Sequence, residues 1–155
     1  MKGILETTTE KDGFTYSFDK QRIDMETVHD FLARRSYWAL GIDAEVVRES
    51  IAHSICLGVY DADNRMAGFG RMITDRATFG YLADVFVLED FRGRGISRQM
   101  MQLFCGLAEA FRLRRFLLTT QDAHGLYAQC GFRPFPWPER LMLYTGQGAP
   151  EQLTG

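Results

Sequence analysis

The period of the apolar positions changes several times along the 155-residue chain, and each change marks an element. In Phe14-Thr15-Tyr16-Ser17-Phe18 aromatic and polar residues alternate, the pattern of a half-buried strand. Met25, Val28, Phe31 and Leu32 then recur at helical spacing behind Asp24, a residue type that accepts from the first free amides of a helix. The span 24–35 is therefore predicted helical. Aromatics and a glycine over 36–42 interrupt it. A second amphipathic helix, 43–55, starts on Asp43 and turns Val46, Val47, Ile51 and Ile55 inward. Asp61-Ala62-Asp63-Asn64 between two apolar runs is turn chemistry and makes 56–74 a hairpin. The run 79–87 is almost wholly apolar, as a strand covered on both faces must be.

Beyond it, Ile96, Met100, Phe104, Leu107 and Phe111 define one face of a long helix over 95–112. A buried strand follows at 114–120, then a short helix at 122–132, capped by Asp122 and stopped by Gly131. Prolines bar pairing through 134–138, and 140–145 reads as a last strand. Residues 1–12 form a loose start, and 13–155 make one domain. The order strand, two helices, three strands, helix, strand, helix, strand gives an α/β (α+β) fold. Its sheet is mixed, with one parallel crossover between 79 and 120.

Composition narrows the function classes. With 46% apolar and 25% charged residues and a net charge of −2, nothing in the bulk balance points to nucleic acid or an anionic membrane as partner. No 18-residue apolar run and no apolar leader segment occur, so a soluble, cytoplasmic protein is expected. Cys56, Cys105 and Cys130 have neither zinc spacing nor an even count. They are expected as reduced thiols, and no metal is expected. Lysine occurs only at positions 2, 11 and 20, so positive charge is carried mostly by arginine, the better bidentate partner of phosphate.

The junction of the 79–87 strand with the next helix carries candidate chemistry. Arg92-Gly93-Arg94-Gly95-Ile96-Ser97 puts two Cβ-free residues and two guanidinium groups where a helix begins. Unpaired amides and the helix dipole make that a place to bind phosphate. A Walker A loop is absent, and the dinucleotide fingerprint fails at its third glycine, where Arg98 stands.

The stretch Asp84–Ser97 resembles motif A of the GNAT superfamily of acyl-CoA-dependent N-acetyltransferases, Q/R-x-x-G-x-G/A after a V-x-V strand. Ser97 departs from the final small residue. Leu126, Tyr127, Gly131 and Phe132 resemble the family's motif B, L-Y-x-x-x-G-F, and the likeness extends over about 13–145. The resemblance implies that strands 79–87 and 114–120 run parallel and splay at their C-terminal ends to take a thioester chain. Backbone groups of Phe86 and Val87 would pair with the pantetheine arm of acetyl-CoA. The amides of Arg94, Gly95, Ile96 and Ser97, flanked by Gly93, Arg92 and Arg94, would hold the pyrophosphate.

By the same resemblance Tyr127 is the candidate acid for the departing thiolate. Asp84 is either a base or ammonium site, or a structural aspartate paired with an arginine such as Arg71. Tyr37 and Trp38 either line an acceptor pocket or plug the core, and Tyr81 either orders water in the cleft or points inward. His124 is a capping or solvated residue, or a relay base. Asp75, Arg76 and Thr78 are a solvated turn or a cleft rim. The implied activity is transfer of acetyl to a small amine, with a homodimer as a family-level expectation. Two alternatives stand beside it: an acyl-CoA-binding sensor, and an enzyme acting on a protein or peptide amine.

Overall fold

The computed structural model describes residues 2–147. The chain order is α1 (Lys2–Glu6), β1 (Thr9–Lys11), β2 (Phe14–Ser17), α2 (Met25–Asp30), α3 (Ala44–Ala52), β3 (Ile55–Tyr60), β4 (Met66–Thr74), β5 (Phe79–Val87), α4 (Ile96–Ala110), β6 (Arg115–Leu118) and α5 (His124–Gln129). The six strands form one sheet in sequence order, antiparallel throughout except for the parallel β5–β6 pair.

Both faces of the sheet are covered, and the alternation of side chains along β3 shows how. Ile55, Leu57 and Val59 join the core beneath α4, with Met100, Phe104 and Leu107. Cys56 and Tyr60 point the other way, into the core beneath α2 and α3, with Val28, Leu32 and Val47. That is why all six β3 residues are buried. Each large side chain fully enclosed in these layers contributes roughly 1.5–3 kcal/mol of burial free energy.

Asp24 and Asp43 cap α2 and α3, their carboxylates accepting from the amides of Thr27 and Glu45. Past Asp30 the helix widens into a π-helical turn, Phe31–Arg35, closed by the Ser36 amide on the Phe31 carbonyl at 2.9 Å. Such turns insert one residue and re-aim the chain that follows.

The structure corrects several sequence expectations. The 1–12 segment is not loose over its described residues: it supplies α1 and the edge strand β1, which pairs with β2 from Thr9↔Tyr16 to Lys11↔Phe14. Val46 is exposed, because α3 is nine residues long and turns only Val47 and Ile51 inward. Asp122 does not cap α5, which starts at His124 without a side-chain cap. Residues 140–145 form no strand; Met142, Leu143 and Tyr144 are exposed and β6 has no outer neighbour among the described residues. No described helix is long and apolar enough to cross a membrane.

Candidate active site

The cleft follows from strand lengths. β5 pairs with β6 from Phe79↔Arg115 to Leu82↔Leu118 and then continues alone to Val87. On the β4 side the register slips between Phe69↔Phe86 and Arg71↔Ala83, so Asp84 and Val85 oppose Gly70 alone. This β-bulge places Asp84 at φ +54°, a left-handed conformation in a non-glycine residue, and bends β5 away from β6. The gap is a cavity of 740 Å³.

Ladder alternation decides which backbone groups face it. The Leu88 amide donates to the Ala67 carbonyl at 2.8 Å, so Leu88 and, two residues back, Phe86 spend their backbone groups on β4. Val85 and Val87 therefore present theirs to the open side. Phe86 is corrected from the expected edge role: its ring stacks on Phe31 at 4.0 Å beneath the cleft. The Val87 carbonyl accepts from Arg92 Nε at 2.9 Å, which leaves its amide open to the cleft side.

At the far end of β5 the chain turns into α4. Gly93 and Gly95 have φ of +77° and +78°, values that admit glycine without strain. Gly95 is the N-cap of α4 and no side chain caps that end. The amides of Ile96, Ser97 and Arg98 thus lack intrahelical acceptors, and the helix dipole adds partial positive charge. Arg92 and Ser97 line the cleft. The Ile96 side chain is in the core, so only its backbone is available. The Arg94 side chain borders instead a separate 570 Å³ groove with Asp61 and Asp90, its guanidinium 6.0 Å from the Phe91 ring. Of the two arginines in the glycine turn, Arg92 borders the cleft and Arg94 does not.

The other end is built from side chains. Trp38 Nε1 donates to Asp84 Oδ1 at 2.9 Å, and Arg71 Nε to Asp84 Oδ2 at 2.7 Å. Of the alternatives left open for Asp84, the ion pair with Arg71 is the one the geometry contains. The hydroxyl of Tyr37 accepts from the Gln121 amide at 3.3 Å, across the cleft mouth. Tyr81 and Thr119 share a hydroxyl hydrogen bond of 2.7 Å where β5 and β6 diverge, so Tyr81 lines the cleft and does not point into the core. Asp75 closes its own turn, accepting from the amides of Ala77, Thr78 and Phe79, and like Arg76, Thr78 and exposed His124 does not line the cleft.

Tyr127 projects from α5 into the cleft wall with Leu126 and Thr120. Burial pushes its phenol up to about 12, with Tyr37, Asp122 and Cys130 adding to the effect. The hydroxyl stays protonated across the physiological range, as a donor must. Gly131, at φ +96°, ends α5, its amide on the Ala128 carbonyl. The three cysteines are free thiols, and no metal-ligand cluster occurs among the described residues. Thr119, Thr120 and Arg35 also line the cleft, and no motif marked them in the sequence.

Comparisons with known proteins bear on the family and the fold. The model of the Acetyltransferase (GNAT) family matches residues 16–132. The fold superposes on a GNAT-family acetyltransferase of Xanthomonas campestris pv. campestris with a TM-score of 0.83 at 40% identity, covering 90% of this chain and 97% of that one. A Clostridium acetobutylicum protein described as an acetyltransferase and solved with acetyl-CoA has the same fold, with a TM-score of 0.64 at 17% identity over 84% of this chain and 96% of that one. A Gibberella zeae protein named as an acetyltransferase is 32% identical over 111 residues, 60% of this chain; the match spans 63% of that relative's length. With motif, fold and cleft in agreement, the chain belongs to the GNAT acetyltransferase family.

Proposed function

We propose that the chain transfers the acetyl group of acetyl-CoA to the amine of a small-molecule acceptor by direct attack. The observation that carries this reading is the continuity of the cleft: the open edge of β5 leads from the uncapped amides of α4 to Tyr127. Acetyl-CoA supplies an activated thioester; the amine forms the new C–N bond, the C–S bond breaks, and the amine proton leaves to water. The amides of Ile96 and Ser97 with Arg92 would hold the diphosphate, and Val85 and Val87 would pair with the pantetheine amides.

Tyr127 donates a hydrogen bond to the sulfur as negative charge develops there. A phenol held near 12 is a weaker acid than a thiol of about 8.5, so stabilisation of the thiolate, not net loss of the phenolic proton, is its contribution. Asp84 already accepts from Arg71 and Trp38, which leaves water in the cleft as the carrier of the amine proton. Three thiols, with Cys56 buried, suit a reducing compartment, and a cytoplasmic setting is part of the proposal.

The experiment is release of free thiol from acetyl-CoA over a panel of amines, with a thermal shift by acetyl-CoA and not by NAD as control. Binding without turnover on any small amine or peptide would replace the enzyme with a sensor; no shift at all would remove both.

A further inference from the structure

Arg71 stands on β4 opposite the bulge and takes no part in the chemistry described above. It is nevertheless enclosed with a charge: the Arg71 and Asp84 side chains are 16% and 11% exposed. Two charges withdrawn from water are tolerated only when hydrogen bonds satisfy both. Arg71 meets that condition by donating Nε to Asp84 Oδ2 at 2.7 Å and Nη1 to Ser54 Oγ at 3.1 Å. Ser54 in turn donates to the Ser50 carbonyl at 2.6 Å, on α3. The second Asp84 oxygen accepts from Trp38 Nε1. Asp84 itself holds a left-handed backbone, a conformation that persists where the surroundings over-determine it.

One chain of bonds therefore runs from α3 through β4 and the β5 bulge to an indole that walls the cleft. Trp38 lies edge-on to Tyr37, ring centroids 5.0 Å apart and planes at 84°, and Tyr37 crosses to Gln121. The strap 36–41 has other ties: the Ser36 amide on the Phe31 carbonyl at 2.9 Å, Ser36 Oγ on the Leu32 carbonyl at 2.6 Å, the Ala39 amide on Ser36 Oγ at 3.1 Å, the Gly41 amide on the Ala33 carbonyl at 2.9 Å and the Ile42 amide on the Ala39 carbonyl at 3.0 Å. None of these involves the indole N–H; the Trp38 ring also packs on Phe31, centroids 6.3 Å apart, and its Asp84 bond is its one side-chain hydrogen bond among the described residues.

We propose that Arg71 is a positioning residue. Through Asp84 it holds Trp38, and with it Tyr37, as the aromatic wall against which the acceptor docks, so the pair sets acceptor affinity and leaves acetyl-CoA binding alone. The acceptor part of this rests on the acetyltransferase reading; the wall is a property of the chain by itself.

Four variants test it. R71M strands the carboxylate, W38F removes the indole N–H together with part of the ring, and D84N removes the charge and leaves one amide oxygen to two donors, Trp38 and Arg71. R71M/D84N removes both charges and keeps that oxygen. Loss of a hydrogen bond to a charged group predicts, for R71M, an amine KM raised about tenfold and amide hydrogen exchange over 36–41 quickened about tenfold, with acetyl-CoA Kd within about twofold. W38F moves the same readouts in the same direction by about threefold, and R71M/D84N returns both to within about threefold of the parent. Exchange needs no turnover. If no amine is acetylated yet exchange quickens in R71M and W38F, the wall stands and the acceptor assignment falls. Unchanged exchange in W38F overturns the proposal, and W38F with R71M/D84N decides it should R71M alone fail to fold. A D84N protein with kcat lowered about 100-fold, but with KM and exchange unchanged, would make Asp84 a base and equally overturn it.

Discussion

The two ends of the cleft are built from different materials. The end proposed for the coenzyme is main chain: positive-φ glycines at 93 and 95, the bare amides of α4, and the edge of β5 at Val85 and Val87. The end proposed for the acceptor is side chain: Tyr37 and Trp38 from the strap, Arg71 from β4, Asp84 and Tyr81 from β5, Tyr127 from α5. Backbone amides survive most substitutions, so the first end depends on a few positions that set φ or charge. Apart from the enclosed Arg71–Asp84 pair, the side chains at the second end can be exchanged without unmaking the strap, strand or helix that bears them. One scaffold can therefore keep its donor and change its acceptor.

Substitutions at either end put that contrast to the test, and the largest effect is expected at the main-chain end. Gly95→Asp forces a Cβ into a left-handed cap and sets a carboxylate beside the diphosphate site. Acetyl-CoA affinity should fall by at least about 100-fold in a calorimetric titration, and an unchanged Kd would show that α4 does not hold the coenzyme. Next, Tyr127→Phe should lower kcat about 10- to 100-fold with acetyl-CoA Kd within about twofold; equal turnover would remove the donor role.

The pH profile comes third. With water as proton carrier, kcat/KM should rise about tenfold per pH unit toward the ionisation of the amine itself. A Tyr127 phenol held near 12 keeps its proton there, so no fall should begin below about pH 10. An added inflection between about pH 6 and 8 would reveal a protein base. Smallest is Ser97→Ala. The amide remains and only a hydroxyl goes, so Kd should rise no more than about threefold. A larger loss would mean that side chains matter at the coenzyme end too.

What could be read from the sequence divides along the same line. The glycine turn, the capped helices behind Asp24 and Asp43, and the β5–α4–β6 crossover are local, and local patterns disclosed them. So was the resemblance to the acetyltransferases, which rests on those motifs. The Trp38–Asp84–Arg71–Ser54 network joins residues up to 46 positions apart, and no periodicity records such a meeting. The edge role given to Phe86 failed by one residue, because which strand edge a backbone group faces depends on register, and the bulge at Asp84 is a register event.

The two errors at the termini have opposite causes. Polar residues 9–11 become a strand because β2 offers a partner, while Leu141-Met142-Leu143-Tyr144 has strand composition and pairs with no strand, although the outer edge of β6 is open among the described residues. The Asp122 cap was a reasonable expectation from residue type, but α5 begins two residues later.

The π-helical turn at Phe31–Arg35 gives the acceptor end a further property. One residue of surplus winding precedes the strap, and each residue of a helix turns the chain by about 100°. Removing Ala33 would tighten that winding and swing both rings off the mouth together, a change that no single substitution of either ring reproduces. Loss of the Trp38 contact with Asp84 in a structure of that deletion variant would confirm it. Length at this point, together with the Asp84 contact, governs which way the doorway looks.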